Sequence, residues 1–167
     1  FPDTFKKFRK NLDQNPDISN KIQIENIGLG AVPGVLNMYQ DCETNSGANR
    51  MVPVGKNNET VEVTVLVTTM DNFIKEKNIK KIDLIKIDVE GFEMMVLQGA
   101  KETLRNFKPA LFIELDDANL KKQGDSAEGL CNFLIEYGYK IYEESNTKPF
   151  DFYNLSKQVN IYCTANS

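Results

Sequence analysis

The residues of this chain that could do chemistry are acids at the ends of two apolar runs. Asp88 and Glu90 follow the run Ile82–Ile87, and Glu114 lies near the end of the run Pro109–Leu115. An ionised carboxylate among apolar residues costs free energy unless it has a partner, so its presence there favours a functional role. We therefore interpret the three acids as lining an active site, where a carboxylate can bind a cation or accept a proton.

The neighbouring acids also have a structural interpretation. Glu90 and Glu93 lie where a helix should begin, and negative charges there interact favourably with the helix dipole. Asp116 and Asp117 follow the second apolar run and would be solvated loop residues. We accept the structural interpretation for Glu93, but it does not explain why Asp88 and Glu114 are flanked by apolar residues.

The acids belong to a predicted strand, helix and strand. Between the two apolar runs, apolar residues recur at i, i+3, i+4 and i+7 from Phe92 to Phe107, which predicts one helix of four turns. Elements of these lengths form a βαβ unit with parallel neighbouring strands. Ligands bind outside the carboxyl ends of such strands, so the acids are expected to lie together at that edge.

The first part of the chain predicts a helix from Thr4 to Leu12, ended by Asn15-Pro16, and a strand at Ile22–Ile27. The stretch "GLGAVPG" follows that strand, as a phosphate-binding loop would. However, the residues after Gly34 lack helical periodicity, so no helix N-terminus is predicted to hold an anion. We interpret the stretch as a turn.

A hairpin is predicted next. Asn37–Gln40 forms one strand, and Val61–Val67 alternates apolar and polar residues as a half-buried strand does. The polar segment 44–58 between them is a candidate substrate loop. Thr69 is the predicted N-cap of a helix that ends near Lys77.

The last part of the chain predicts a helix at Ser126–Tyr137, closed by Gly138, and strands at Tyr139–Tyr142 and Val159–Cys163. The order of elements indicates an α/β fold with a mostly parallel sheet. Residues 1–167 are expected to form a single domain, because this length suffices for one core.

Composition excludes several classes of function. The net charge of −4 and the pI near 5.0 argue against binding to nucleic acid or anionic membranes. The chain has no histidine, which excludes histidine-based catalysis and zinc sites, and Cys42, Cys131 and Cys163 lack metal-ligand spacing. No apolar run approaches the roughly 20 residues of a membrane span. We expect a cytoplasmic protein without metal, nucleic-acid or membrane partners.

One long segment resembles the FkbM-type S-adenosylmethionine-dependent methyltransferases. It is "VTTMDNFIKEKNIKKIDLIKIDVEGFEMMVLQGAKETLRNFKPALFIEL", from Val67 to Leu115. The family's hallmark is a strand that ends in Asp-x-Glu-Gly, a helix with Glu and then Leu-x-Gly-Ala, and a second strand that ends in Ile-Glu. The matching residues here are Asp88, Glu90, Gly91, Glu93, Leu97, Gly99, Ala100 and Glu114. The opening "FPDTFKKFRKNLDQN" and "IENIGLG" are similar to further family segments.

The resemblance implies a Rossmann-like class I methyltransferase fold with helices on both faces of the sheet, and S-adenosyl-L-methionine as cofactor. It implies methyl transfer to a hydroxyl of a small molecule or glycan. Asp88 would lie near the methionine part of the cofactor, and Glu90 and Glu114 would face the acceptor, one of them as general base. Ile27, Gly28 and Leu29 would border the adenine. Asp116 departs from the pattern, since relatives often have histidine there.

By the same resemblance, the chain would lack the family's first strands and its glycine-rich cofactor loop. We then expect weak or no cofactor binding by this chain. We also expect one of three arrangements: a separate N-terminal segment, a homodimer formed through open strand edges, or residues 1–30 docked in a place that differs from the family's. Two other hypotheses stay open. The acids could bind Mg²⁺ for phosphoryl transfer, or the chain could be a non-catalytic α/β fragment or binding module.

Overall fold

The computed structural model describes residues 2–41, 49–50, 60–143, 149–154 and 158–165 of the 167-residue chain. The chain divides into two compact units. The first consists of Phe1–Gly28 and Gly34–Val67, and the second of Leu29–Pro33 and Thr68–Ser167. The single domain expected from the sequence stays a prediction.

Two helices and a β-hairpin account for most of the first unit. The helices are α1 (Pro2–Asp13) and α2 (Pro16–Ser19), and α1 ends before Pro16 as predicted. The strands are β1 (Gly28–Leu29), β2 (Gly34–Asp41), β3 (Asn49–Arg50) and β4 (Thr60–Thr68), in the sheet order β1-β4-β2-β3. β2 and β4 are antiparallel, which confirms the predicted hairpin.

Two predictions for this part of the chain have different outcomes. The strand predicted at Ile22–Ile27 is wrong, because residues 22–27 have no regular secondary structure and pairing begins only at Gly28. Two alternating isoleucines are too short a pattern to define a strand without a partner. The turn at the glycine-rich stretch is confirmed, since β2 and not a helix follows it. Apart from β3, the candidate substrate loop at 44–58 lies outside the described residues.

The second unit contains the predicted strand, helix and strand. Its elements are α3 (Met70–Glu76), β5 (Leu84–Ile87), α4 (Glu93–Gln98), α5 (Lys101–Asn106), β6 (Ala110–Leu115), α6 (Asp117–Lys122), α7 (Ala127–Glu136), β7 (Tyr139–Glu143), a 3₁₀ turn at Phe152–Asn154 and β8 (Val159–Ala165). Thr69 caps α3 as predicted, and its hydroxyl accepts a hydrogen bond from the Asn72 N–H at 3.1 Å. α6 was not predicted, because Asp116 and Asp117 suggested a loop.

The single helix predicted between β5 and β6 is two short helices. The break falls at Gly99 and Ala100, where Gly99 packs against the backbone of Gly30. Asp71 then caps α5 from a distant part of the chain. Its carboxylate accepts hydrogen bonds from the backbone N–H groups of Glu102 at 3.0 Å and Thr103 at 2.8 Å. These donors have no partner within a new helix, so the cap stabilises a helix that begins here.

The sheet of the second unit is mixed, so the predicted mostly parallel sheet is wrong. The strand order is β5-β6-β8-β7, in which β5 and β6 are parallel and β8 is antiparallel to both β6 and β7. The physical reason is the connection from β7 to β8, which has no crossover helix among its described residues. A strand can return parallel to its predecessor only through a crossover, so β8 returns antiparallel.

One face of this sheet holds the core of the second unit. Alternate residues of β6, namely Leu111, Ile113 and Leu115, are fully buried, whereas those between them are only half-buried. The helices supply the opposite side of the core with Leu97, Leu104, Leu120, Leu130 and Leu134. The described residues therefore cover one face of the sheet more completely than the other, which carries Lys86 and Glu114.

None of the helices in the described part of the chain has the length and apolar character needed to cross a bilayer.

Candidate functional site

The fold brings Asp88 and Glu114 together. β5 and β6 are parallel, with Ile87 opposite Ile113, so the next residues along the two strands are Asp88 and Glu114. Opposite residues of neighbouring strands point to the same face of a sheet. The two carboxyl groups lie close enough for each to shift the pKa of the other. The prediction that these acids lie together at the carboxyl edge is thus in agreement with the geometry.

Lys86 makes the two acids unequal. Its Nζ lies 2.8 Å from Oδ2 of Asp88 and forms an ion pair with it. The hydrogen bond from Lys86 lowers the pKa of Asp88, while burial and the contact with Glu114 have smaller effects. Asp88 is therefore the member of the pair that stays ionised.

Glu114 is the member that holds the proton more tightly. Burial raises the pKa of Glu114 most, and the hydrogen bond and negative charge of Asp88 raise it further. Gln158, the residue before β8, is hydrogen-bonded to Glu114 and partly offsets this rise. Two carboxyl groups with opposite pKa shifts at one site can divide the roles of ionised group and proton carrier.

Glu90 lies in a tight turn directly after Asp88. Its φ of 52° and the φ of 101° at Gly91 are both left-handed, a conformation that costs a non-glycine residue free energy. Oε2 of Glu90 accepts a hydrogen bond from the Asn119 side-chain amide at 3.1 Å. A Cβ at Gly91 would lie 2.7 Å from the backbone oxygen of Asn119, so only glycine allows this close approach.

Glu93 is buried, and its side chain is hydrogen-bonded to the backbone of the same turn. Only 2% of the residue is exposed, and Oε1 accepts hydrogen bonds from the N–H groups of Gly91 at 3.0 Å and Val89 at 3.3 Å. Burial raises the pKa of Glu93, and these hydrogen bonds act against that rise. The sequence interpretation of Glu93 as a dipole-favouring residue therefore missed its contacts with the turn.

Asp116 and Asp117 stabilise helices near the site. Oδ1 of Asp116 accepts hydrogen bonds from the N–H groups of Ala118 at 2.9 Å and Asn119 at 3.2 Å, and so caps α6. Asp117 accepts a hydrogen bond from the Ala127 N–H at 2.8 Å and pairs with Lys121 at 2.6 Å. Asp116 thus has a structural role where relatives often have histidine.

Of the residues predicted to border the adenine, Gly28 and Leu29 form β1 and Ile27 directly precedes it. Ile27 is 37% exposed, and Gly28 lies against Val67, whose Cγ2 would be 3.1 Å from a Cβ at that position. Ile27 and Gly28 belong to the first unit, and Leu29 belongs to the second, where it packs against the core. Their role in cofactor binding stays a prediction.

Three residues of the site were not predicted from the sequence, namely Lys86, Asn119 and Gln158. The contact of Lys86 with Asp88 could have been predicted, because residues two apart in a strand point to the same face. Asn119 belongs to the unpredicted helix α6, and Gln158 reaches Glu114 only because β8 runs antiparallel beside β6.

Comparisons with known proteins agree with this fold and name a family. A family model described as the methyltransferase FkbM domain matches residues 2–141. Methyltransferase 1 of Beauveria bassiana (strain ARSEF 2860) is 31% identical over 133 residues, which cover 70% of this chain and 53% of that protein. The chain thus spans about half the length of this curated relative.

A solved structure has a similar fold. It is that of methyltransferase FkbM from Methylobacillus flagellatus KT, and it matches with a TM-score of 0.59 and 19% identity over 95% of this chain and 33% of that chain. This likeness concerns the α/β fold alone. The family model covers most of the sequence, including the turn of Asp88 and Glu90 and the strand of Glu114. The chain belongs to the FkbM methyltransferase family.

Proposed function

We propose that the whole protein transfers the methyl group of S-adenosylmethionine to a hydroxyl oxygen of a small molecule or glycan. Family membership supports methyl transfer. The observation that carries the choice of a hydroxyl acceptor is the carboxyl pair of Asp88 and Glu114, in which one acid is held ionised and the other has a raised pKa. A hydroxyl must lose its proton when it is methylated, and a carboxylate at the site can accept it.

The described residues fit parts of this cofactor. When bound, S-adenosylmethionine supplies a methyl group activated by a positively charged sulfur. The ionised carboxylate of Asp88 suits a neighbouring cation, and we assign it to the methionine end. By family resemblance alone, we assign Ile27, Gly28 and Leu29 to the adenine.

We assign the role of general base to Glu114. Lys86 lowers the pKa of Asp88, whereas the pKa of Glu114 is raised, so ionised Glu114 is the better proton acceptor of the two. A base whose pKa is raised toward the working pH accepts a proton more readily than an ordinary carboxylate. We assign to Glu90 the orientation of the acceptor hydroxyl. Correct orientation of two reactants can supply roughly 7–11 kcal/mol of a barrier.

The test is methyl transfer by the whole protein to a panel of monosaccharides and simple phenols, with the methyl group of S-adenosylmethionine labelled. Glu114→Gln and Asp88→Asn should reduce transfer by at least about 100-fold. Their melting temperatures should stay close to wild type, because a partly buried functional acid is usually a cost to folding. Full turnover by both variants would refute the assignment of these acids.

The other two hypotheses receive no specific support from the described residues. No group of three or more acidic or cysteine side chains in that part of the chain is arranged to hold a metal ion. A non-catalytic binding module would bind S-adenosylhomocysteine in calorimetry yet transfer no methyl group. The cytoplasmic location, the homodimer and the absence of nucleic-acid and membrane partners stay predictions.

A further inference from the structure

Glu90 is held in its unusual backbone conformation by contacts from a second element. The backbone of Gly91 packs directly on that of Asn119, at a distance that leaves no space for a Cβ. α6 is fixed at this place by its own cap, since Asp116 accepts the N–H of Asn119 at 3.2 Å. Backbone packing therefore brings Asn119 beside the turn, and this places its side chain within reach of Glu90.

The side chain of Asn119 then makes two directed contacts. Its Nδ2 donates to Oε2 of Glu90 at 3.1 Å, and its Oδ1 accepts from Nζ of Lys122 at 2.8 Å. An ammonium group can only donate, so Lys122 keeps the amide oxygen on its own side. The amide nitrogen is thereby kept toward Glu90.

We propose that Asn119 is a positioning residue that, oriented by Lys122, holds the carboxylate of Glu90 in place for the acceptor. This inference rests on the proposed function, in which Glu90 faces the acceptor hydroxyl. A charge-assisted hydrogen bond to one carboxylate oxygen fixes the side chain of Glu90 as well as its backbone. Active-site groups of this kind depend on supporting residues for their exact placement.

The sharpest test is Asn119→Asp, which keeps the shape of the side chain but replaces the donor by a second carboxylate. In the whole protein we expect kcat to fall roughly 10- to 100-fold, with the KM for S-adenosylmethionine changed less than about threefold. Repulsion between the new carboxylate and Glu90 should loosen the turn, so the backbone N–H of Gly91, which donates to Glu93 at 3.0 Å, should exchange faster with solvent, as measured by NMR. Asn132→Asp on the exposed side of α7 is the matched control, and it should leave kcat, KM and the exchange rate of Gly91 unchanged.

A double variant separates positioning from structural support. In Glu90→Gln with Asn119→Asp, the donor and the acceptor are exchanged, so a hydrogen bond can form again. We expect the Gly91 exchange rate and the melting temperature to return toward wild type while methyl transfer stays low, because a carboxylate is needed at position 90. Recovery of transfer by the double variant would show a purely structural contact and would overturn the proposal.

Failure of this inference can be distinguished from failure of the proposed function. If Glu114→Gln abolishes transfer but Asn119→Asp retains wild-type kcat and Gly91 exchange, the role of Asn119 is refuted and the function stands. If Glu114→Gln transfers at the wild-type rate, the assignment of Glu114 as general base fails, and if the wild-type protein methylates no acceptor of the panel, the proposed function fails. The exchange measurement on Asn119→Asp then still decides whether the amide holds the turn.

Discussion

Lys86 determines which residue of the carboxyl pair carries charge. It lies two residues before Asp88 on β5, on the same face of the strand, and its Nζ contacts the Asp88 carboxylate at 2.8 Å. Without this cation, two carboxylates in contact would compete for the same proton on more equal terms. The two acids therefore differ because Lys86 lowers the pKa of Asp88 and burial raises the pKa of Glu114.

We predict that Lys86→Met moves the acidic limb of the pH–rate profile to higher pH. The folded-state pKa of Asp88 is lowered chiefly by the hydrogen bond from Lys86, and removal of Lys86 takes away that effect. The pair then binds protons up to a higher pH, so the base is freed later as the pH rises. The profile of kcat/KM against pH measures the shift. Lys81→Met, which removes an exposed ion pair with Asp83, is the control.

Glu93 should make the stability of the protein depend on pH. Burial raises its pKa in the folded state above the ordinary 4.5, so folding favours the protonated form. The corresponding stabilisation is complete below about pH 4.5 and is lost as the pH rises through the raised folded-state pKa. We predict that the melting temperature of wild type falls relative to that of Glu93→Gln over this window.

The measurement is a series of thermal unfolding curves between about pH 4 and 8. Glu76→Gln, at an exposed position at the end of α3, supplies the control. A difference in melting temperature between wild type and Glu93→Gln that does not vary with pH would contradict the prediction.

At the scale of elements, the joint between α4 and α5 depends on a glycine. A Cβ at Gly99 would overlap the carbonyl oxygen of Gly30 and lie 3.0 Å from its carbonyl carbon, and both are backbone atoms that cannot move aside cheaply. We predict that Gly99→Ala lowers the free energy of unfolding by about 1–3 kcal/mol, the range found for overpacked sites. Urea unfolding measures this change.

Gly34→Ala is the matched control for this prediction. It adds the same methyl group in β2, where no atom lies within 4 Å of the new Cβ. The melting temperature of this variant should stay within about 2 °C of wild type. Equal stability of the Gly99 and Gly34 variants would show that the backbone at Gly30 shifts without cost.

The sequence predicted those elements that are determined by neighbouring residues in the chain. The Thr69 cap, the helix opened by Ser126 and the parallel pairing of β5 with β6 each follow from a few neighbouring residues, and all three are present. The break at Gly99 and the helix α6 could not be predicted this way. The break depends on Gly30 and Asp71, which lie far away in the chain.

At the scale of the whole molecule, the orientation of β8 determines which residue contacts Glu114 from that side. The alternation of apolar residues in β8 indicates a strand but not its orientation, since a strand has the same period in either direction. The apolar runs that lead to Asp88 and Glu114 located these acids in the sequence, but Gln158 reaches Glu114 only through the antiparallel pairing of β8 with β6.

The two buried cysteines report on opening of the second unit. Cys131 and Cys163 are fully buried, and burial raises the pKa of Cys131 to about 12 and raises that of Cys163 as well. The thiolate is the reactive form, so neither thiol should react with an aromatic disulfide at pH 8 until the unit unfolds. We predict labelling at least about 1,000-fold slower than in urea.

Labelling is best measured in a Cys42→Ser background, because Cys42 lies outside the described residues. Rapid labelling of one thiol under native conditions would show that its surroundings open locally. Rapid labelling of both would contradict the packed core described for this unit.

The alignment of Asp88 with Glu114 has a genetic consequence. The pair is set by the register of β5 and β6, and not by the length of chain that joins them. Loss of one codon inside β6 before Glu114 would turn that side chain to the opposite face, among the packed leucines. Loss or gain of a codon near the exposed Lys108, between α5 and β6, leaves the register free to re-form. Small insertions and deletions inherited by descendants of this gene should therefore accumulate in that connection and be purged from the two strands.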